Sequence, residues 1–165
     1  MTGPALPQRR AAAALAAITA YENNPKVPAK EKSAYAGYIK SLPAAIVMNG
    51  LGQALATELA QGGKDTAKGQ GGIAPNAHAQ IYRHVEAWLC GDDPEVPFRG
   101  RRKTAKADSP VLMECLCTAD QSLYLLAQAE AMEYIQWLKK FANALLVSRG
   151  STPDDRPGDG GATPA

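Results

Sequence analysis

A single long helical pattern, over residues 121–147, determines which architectures this chain can adopt. Apolar side chains recur on one face of that helix at the 3.6-residue period, and polar side chains occupy the opposite face. The apolar face contains Leu123, Leu126, Ala127, Tyr134, Trp137, Leu138, Phe141 and Leu145, and the polar face contains Glu133, Gln136, Lys139, Lys140 and Asn143. A helix with one broad apolar face is stable only when other elements cover that face, so the pattern predicts a core packed around it.

The remainder of the chain also favours helices. Hydrophobic residues make up 45% of the sequence, many of them alanine, and aromatic residues only 6%, a balance that favours helix over sheet. Helical patterns are predicted over residues 8–22, 29–42, 43–60, 76–90 and 111–118. A glycine-rich loop (61–76) and a loop that is first acidic and then basic (92–110) separate some of them. We therefore predict an all-α fold, a single compact bundle of five to six helices over residues 1–147, followed by a disordered tail over residues 148–165.

The stretch SLPAAIVMNGLGQALATELA, residues 41–60, admits two interpretations. A short β-rich run before its G-L-G sequence, with a helix after it, would begin a dinucleotide-binding site. That fingerprint needs a third glycine where the chain has Leu55, and no alternation of strands and helices follows. The sequence therefore argues against a nucleotide loop and predicts a helix that begins at Pro43, since proline is tolerated in a first turn.

Within that predicted helix the side chains separate by polarity. The apolar arc contains Val47, Leu51, Ala54, Leu55 and Leu59, and a polar seam on the other side contains Asn49, Gln53 and Thr57. Gly50 and Gly52 would each cost about 1 kcal/mol relative to alanine inside a helix. The two glycines therefore predict that another helix or an interface crosses closely at this point.

Glu130 lies in the middle of the apolar face of the last helix. Burial of an unpaired carboxylate is costly, so we expect this side chain to meet a cation or several hydrogen-bond donors. The alternatives are a structural ion pair, a clamp on backbone N–H groups, and a general acid or base. Catalysis would need a second acid, base or nucleophile, and no sequence motif supplies one.

No metal or cofactor site is predicted. The possible sulfur and imidazole ligands are His78, His84, Cys90, Cys115 and Cys117. Neither the histidines, six residues apart, nor the last two cysteines share one side of a helix, so neither pair suits a metal ion. Three cysteines without a pairing pattern indicate reduced thiols.

An alanine-rich start imitates a signal peptide but lacks a cleavage site, and no run approaches the length of a membrane span. We therefore expect a protein of the cytoplasm.

The formal net charge is +2, from 18 Lys and Arg against 16 Asp and Glu, and five of the cations fall within residues 99–106. The other candidates for a basic surface are Arg9, Arg10, Lys40, Arg83, Lys139 and Lys140. Taken singly, each is typical of a solvated surface charge; taken together, they could follow a phosphate backbone without recognition of bases. Leu125 and Met132 project near the polar side of the last helix, and exposed apolar residues beside cations indicate a protein contact.

Three segments carry a resemblance when taken together: YIKSLPAAIVMNGLGQALA, IYRHVEAWL and LAQAEAMEYIQWLKKFANALL. In this order they resemble the small subunit of type III-B CRISPR effector complexes, the Cmr small subunit. YIKSLPAAIVMNGLGQALA is similar to the leucine-proline and asparagine-glycine-leucine core of that family, and IYRHVEAWL to its fourth-helix pattern of tyrosine followed by Trp-Leu. LAQAEAMEYIQWLKKFANALL resembles its C-terminal signature. That signature is carried here by Glu130, Trp137, Leu138, Lys139, Lys140, Phe141 and Ala142. The resemblance covers about residues 8–147 apart from the two loops.

The resemblance implies a non-catalytic, all-helical subunit. Copies of it would stack as a short filament beside the backbone subunits that hold guide RNA, and would help form the groove for target RNA in antiviral defence. The expected neighbours of RNA phosphates are Arg9, Arg10, Lys40, Arg83, Lys139 and Lys140. The expected packing or subunit contacts are Asn49, Gly50, Gly52, Gln53, Leu125 and Met132. The alternative is a helical protein-interaction adaptor without an RNA role.

Overall fold

The computed structural model describes residues 2–63 and 76–147, and every regular element in those two ranges is a helix. In chain order the helices are α1 (Leu6–Glu22), α2 (Ala29–Asn49), α3 (Leu51–Gly62), α4 (Ala77–Leu89), α5 (Arg101–Thr104), α6 (Val111–Thr118) and α7 (Gln121–Leu145). The predicted all-α class is confirmed. One short helix, α5, lies in the segment that was predicted as a loop. The predicted tail and most of the glycine-rich loop lie outside the described residues.

Helix α7 is the longest described element and packs against α1, α2 and α4. Its start is set by Asp120, whose carboxylate accepts a hydrogen bond of 2.8 Å from the N–H of Leu123. The side chains that α7 buries are Ala127, Glu130, Ala131, Tyr134, Ile135, Leu138 and Ala142. Two leucines that the sequence pattern assigned to this face, Leu126 and Leu145, are 57% and 41% exposed, so the apolar face is narrower than predicted.

The boundary between α2 and α3 differs from the sequence prediction. Helix α2 continues through Pro43 and ends at Asn49, and the next residue, Gly50, has a φ of +82°. Proline removes one hydrogen bond from the helix, yet the break falls at the residue type that adopts a positive φ without strain. Asn49 therefore belongs to α2 and Gln53 to α3, so the continuous polar seam predicted across them is wrong. Val47, predicted in the apolar arc, is 74% exposed.

The remaining described helices close the core around α7. Helix α4 is capped by Asn76, whose side chain accepts a hydrogen bond of 3.0 Å from the N–H of Ala79, and it packs against α2 and α3. None of the described helices is long and apolar enough to cross a membrane. Cys90 and Cys115 are buried free thiols, and burial raises the pKa of both, which keeps them protonated at neutral pH.

Candidate nucleic-acid and subunit interface

The buried carboxylate of Glu130 is the centre of a polar cluster between α1, α4 and α7. Arg10 donates through Nε to Oε1 and through Nη2 to Oε2, at 2.8 Å each, and Trp88 donates through Nε1 to Oε1 at 2.8 Å. The hydrogen bonds to Glu130 raise the pKa of the guanidinium. Arg10 is only 6% exposed and Glu130 8%, so the ion pair is shielded from water. Arg10 is therefore a structural cation, and its predicted place on the basic surface is wrong.

Arg9, the neighbouring cation, is engaged by the segment that follows α4. Its Nε donates to Asp93 Oδ2 at 2.7 Å, and its Nη2 donates to Asp93 and to Glu95. The hydrogen bond from Arg9 lowers the pKa of the Asp93 carboxyl, and the two carboxylates raise the pKa of the guanidinium. Arg9 remains partly at the surface, but two carboxylates balance its charge. This balance makes it a weak candidate for a phosphate contact.

The two lysines near the end of α7 are arranged differently. Lys140 is exposed, with its Nζ 5.2 Å from the centroid of the Trp137 ring, while Lys139 is half-buried. Trp137 stacks on Phe141, with ring centroids 5.7 Å apart. A cation beside an aromatic pair suits single-stranded nucleic acid, because phosphates meet the cation and bases stack on rings. Both rings are half-buried and pack against the core, so Lys140 is the exposed group of this cluster.

The other two predicted cations lie on different helices. Lys40 is exposed on α2, and Arg83 is half-buried on α4. Arg9 and Arg10 thus both lie on α1, and the other four candidates are distributed over α2, α4 and α7.

Gly50, between α2 and α3, and Gly52, in the first turn of α3, lie close to Tyr124 of α7. The N–H of Gly52 donates to the hydroxyl of Tyr124 at 2.7 Å, and the N–H of Leu51 donates to Gln128 Oε1 at 3.0 Å. These donors belong to the first turn of α3, where the helix itself offers no acceptor. A methyl group at Gly52 would lie 3.2 Å from the Tyr124 hydroxyl, which is a tight contact. The close crossing expected from the glycines is present, and it is intramolecular.

Residues adjacent in sequence to that crossing are exposed. Asn49 and Gln53 lie at the surface on either side of the glycines, and Leu125, next to Tyr124, is 54% exposed. Met48 is 82% exposed, which the sequence analysis did not anticipate. Met132 is only half-buried but packs against the core, so its predicted projection away from the core is wrong. Three of the predicted contact residues therefore remain available to a partner.

Sequence reasoning missed a second buried carboxylate, Glu86 on α4, which is 5% exposed. Arg102 of α5 donates to Glu86 Oε1 at 2.6 Å, and the N–H of Leu112 donates to Oε2 at 3.1 Å. Arg102 also donates to the carbonyl oxygens of Ser109, at 3.0 Å, and Lys106. The signal that could have found Glu86 is its helical spacing from the apolar positions of α4, because residues three and four apart share a face.

The two histidines belong to separate clusters. His84 is buried, its Nδ1 lies 2.8 Å from the Tyr35 hydroxyl, and burial lowers its pKa to about 4. His78 Nδ1 lies 2.7 Å from Glu58 Oε2, and its ring stacks on Tyr38 with centroids 3.9 Å apart. In the part of the chain that the structure describes, no group of three or more histidine, cysteine, aspartate or glutamate side chains could hold a metal ion.

The fold and these clusters define a class: a small helical scaffold whose buried charges join its helices and whose outer surface displays cations and apolar residues. Residues 6–145 match the protein family described as CRISPR-associated protein (Cas_Cmr5). The match spans most of the chain, so the protein belongs to the Cas_Cmr5 family. The resemblance to the small helical subunit of the type III-B Cmr complex is thereby confirmed.

Proposed function

We propose that this protein is a non-catalytic structural subunit of a type III-B CRISPR complex, stacking as a filament and helping to form the groove for guide and target RNA in antiviral defence. The observation that carries the proposal is the family match over residues 6–145, a range that begins where α1 begins and ends where α7 ends. The partners would be the other Cmr subunits, including the backbone subunits, together with copies of this chain. The compartment would be the cytoplasm.

The surroundings of Glu130 support a structural role in place of a catalytic one. Both carboxylate oxygens accept hydrogen bonds from Arg10, and Oε1 accepts a further one from Trp88. A general base must direct an oxygen at a substrate proton within hydrogen-bond reach. At 8% exposure, Glu130 is directed into the bundle and its oxygens are already engaged. Its position favours an ion pair that holds α1 and α4 on α7.

The end of α7 supports the RNA part of the proposal. Lys140 is an exposed cation beside the stacked rings of Trp137 and Phe141, and Lys139 is its neighbour in sequence. Contacts to phosphates position a nucleic acid without recognition of its sequence. Such contacts suit a subunit that must accept many different guide and target RNAs.

A second candidate function is a helical protein-interaction adaptor with no direct RNA role. The observation that favours it is the set of large apolar side chains left at the surface near the end of α2 and the start of α7. The most exposed of these are Val47, Met48, Leu125 and Leu126. Exposed apolar residues of this size mark protein contacts more often than nucleic-acid contacts.

Charge reversal at the end of α7 separates the two candidates. We expect Lys139→Glu with Lys140→Glu to weaken retention of target RNA by the reconstituted complex and to reduce its salt dependence. The matched control is Lys26→Glu with Lys30→Glu, two exposed lysines outside α7. Because Lys139 is half-buried, the single variant Lys140→Glu and a circular dichroism spectrum accompany the double variant.

Three outcomes would count against the proposal. Unchanged RNA retention in the α7 variants would favour the adaptor. Loss of the variant subunit from an otherwise assembled complex would assign the lysines to a protein contact. Cleavage of RNA by the purified protein in the presence of a divalent metal ion would contradict the non-catalytic role.

A further inference from the structure

The segment between α4 and α6 displays a concentrated group of cations. Residues 99–106 contain five cations and no acidic residue. Four of the cations are exposed, and we name them the basic shelf: Arg99, Arg101, Lys103 and Lys106. The fifth, Arg102, is half-buried.

The segment that carries the basic shelf is fastened to the bundle. Its backbone donates three hydrogen bonds to the end of α4 and the two residues after it. The bonds run from Phe98 N to Leu89 O (3.0 Å), from Gly100 N to Gly91 O (2.7 Å) and from Arg102 N to Cys90 O (3.0 Å). Val96 and Phe98 are buried in the core. A surface fastened in this way presents its charges without a large cost of ordering on binding.

Arg102 is the side chain that anchors the shelf. Its contact with the buried Glu86, at 2.6 Å, ties α5 to α4, and its bonds to two carbonyl oxygens close the chain around it. Lys103 lies 2.8 Å from Asp92, but both side chains are more than half exposed. An exposed pair of this kind is weak and screened by salt, so Lys103 remains available to another anion.

Two of the four acidic residues of the same segment are engaged by α1, while Asp92 contacts Lys103 and Asp108 is exposed. Asp93 and Glu95 bind Arg9 on α1, as described above. The charges are therefore partly separated: Arg9 balances Asp93 and Glu95, while residues 99–106 present four exposed cations and no carboxylate. This concentration of cations favours a local positive potential that the net charge of +2 for the whole chain does not reveal.

The chemistry of the shelf favours a nucleic-acid backbone over a protein partner. Protein interfaces centre on large apolar or aromatic side chains. Residues 91–110 are fully described, and all of their large apolar side chains are buried. The exposed residues among them are charged, small or proline. A group of exposed cations without apolar residues at its centre is suited to neutralise phosphates, whatever the base sequence of the nucleic acid.

We propose that the basic shelf is a second RNA-binding surface of this subunit, which binds the phosphates of single-stranded RNA and is separate from the lysines at the end of α7. The inference rests on the proposed function, because RNA must pass this subunit for the shelf to meet it. Arg102 is a positioning residue of this surface, and the four exposed cations are its contacts.

The test compares Arg99→Gln with Arg101→Gln against a matched control, Lys26→Gln with Lys30→Gln, in the fully assembled complex. Each phosphate contact adds about 0.7 to the slope of log affinity for single strands against log salt concentration. We expect the shelf variant to lower that slope by about 1.4 and the control to leave it unchanged. Retention of the variant subunit in the complex is measured on the same samples.

Each other outcome overturns the inference. An unchanged slope with the subunit still in place would mean that the shelf does not meet RNA. A subunit lost from the complex while the slope is unchanged would assign the shelf to an acidic protein neighbour. If the Lys139 and Lys140 variants lower RNA retention but the shelf variant does not, only the shelf inference fails. If neither does, the proposed RNA function fails as well.

Discussion

Two basic regions that look alike in the sequence differ in the structure. Arg9 and Arg10 at the start of α1 point at carboxylates of other elements, and Arg10 is buried with Glu130. The four cations of the basic shelf are exposed, and within residues 2–63 and 76–147 their one ion pair is the weak exposed contact between Lys103 and Asp92. Whether a surface is positive therefore depends on the partners that each cation meets in the fold. The density of lysine and arginine along the sequence does not determine it.

Removal of Glu130 should have the largest effect on the stability of the protein, and it tests whether Arg10 is a structural cation. We expect Glu130→Ala to destabilise the protein by about 3–5 kcal/mol, because it leaves the Arg10 guanidinium buried without a counter-charge. The double variant Arg10→Met with Glu130→Leu should recover most of that loss, since it removes both charges. Chemical denaturation measures both. A loss under about 1 kcal/mol in the single variant would break the comparison, because Arg10 would then not be a structural cation.

A second effect is the pH dependence of stability caused by His84, which is buried in its neutral form. Burial lowers the pKa of His84 from 6.5 to about 4. As the pH falls from about 6.5 to about 4, the unfolded chain binds a proton that the folded chain does not, so the folded state loses roughly 3 kcal/mol over this window. The variant His84→Gln should remove that part of the pH dependence. A free energy of unfolding that falls equally in both proteins would show that other groups cause it.

A third and smaller effect lies inside the basic segment itself. Arg102→Met should cost about 2 kcal/mol, because it leaves the buried Glu86 without its cation. Arg101→Gln, one residue away and exposed, should change stability by no more than about 0.5 kcal/mol. Thermal or chemical unfolding of the two variants measures the contrast. Equal effects would show that the anchoring cation and the displayed cations do not differ in role.

The sequence predicts the helices well where local signals agree. Helix α6 begins at Val111 and ends at Thr118 as predicted, and α7 begins at Gln121, because a proline or an aspartate precedes each helix. The boundary between α2 and α3 is predicted at Pro43 but lies at Gly50. Pro43 and the two glycines each permit a break, and the choice depends on α7, whose side chains bind the first turn of α3.

The candidate site is harder to predict from the sequence than the helices are, because its main contacts join residues that are distant in the chain. Glu130 stood out as a carboxylate on an apolar face, but its cation, Arg10, is 120 residues away in the chain. No periodic pattern shows which of two adjacent arginines turns inward. The pair between Glu86 and Arg102 was hidden for the same reason, since Arg102 lies in a segment that was predicted as a loop.

We propose that this subunit supplies part of the positive surface along the RNA path of the complex. The most direct measurement is the salt dependence of target-RNA retention by the complex, reconstituted with and without this chain. We expect a steeper slope of log affinity against log salt concentration when the chain is present, because its cations release counterions from the phosphates. Identical slopes, with assembly confirmed in both samples, would contradict it.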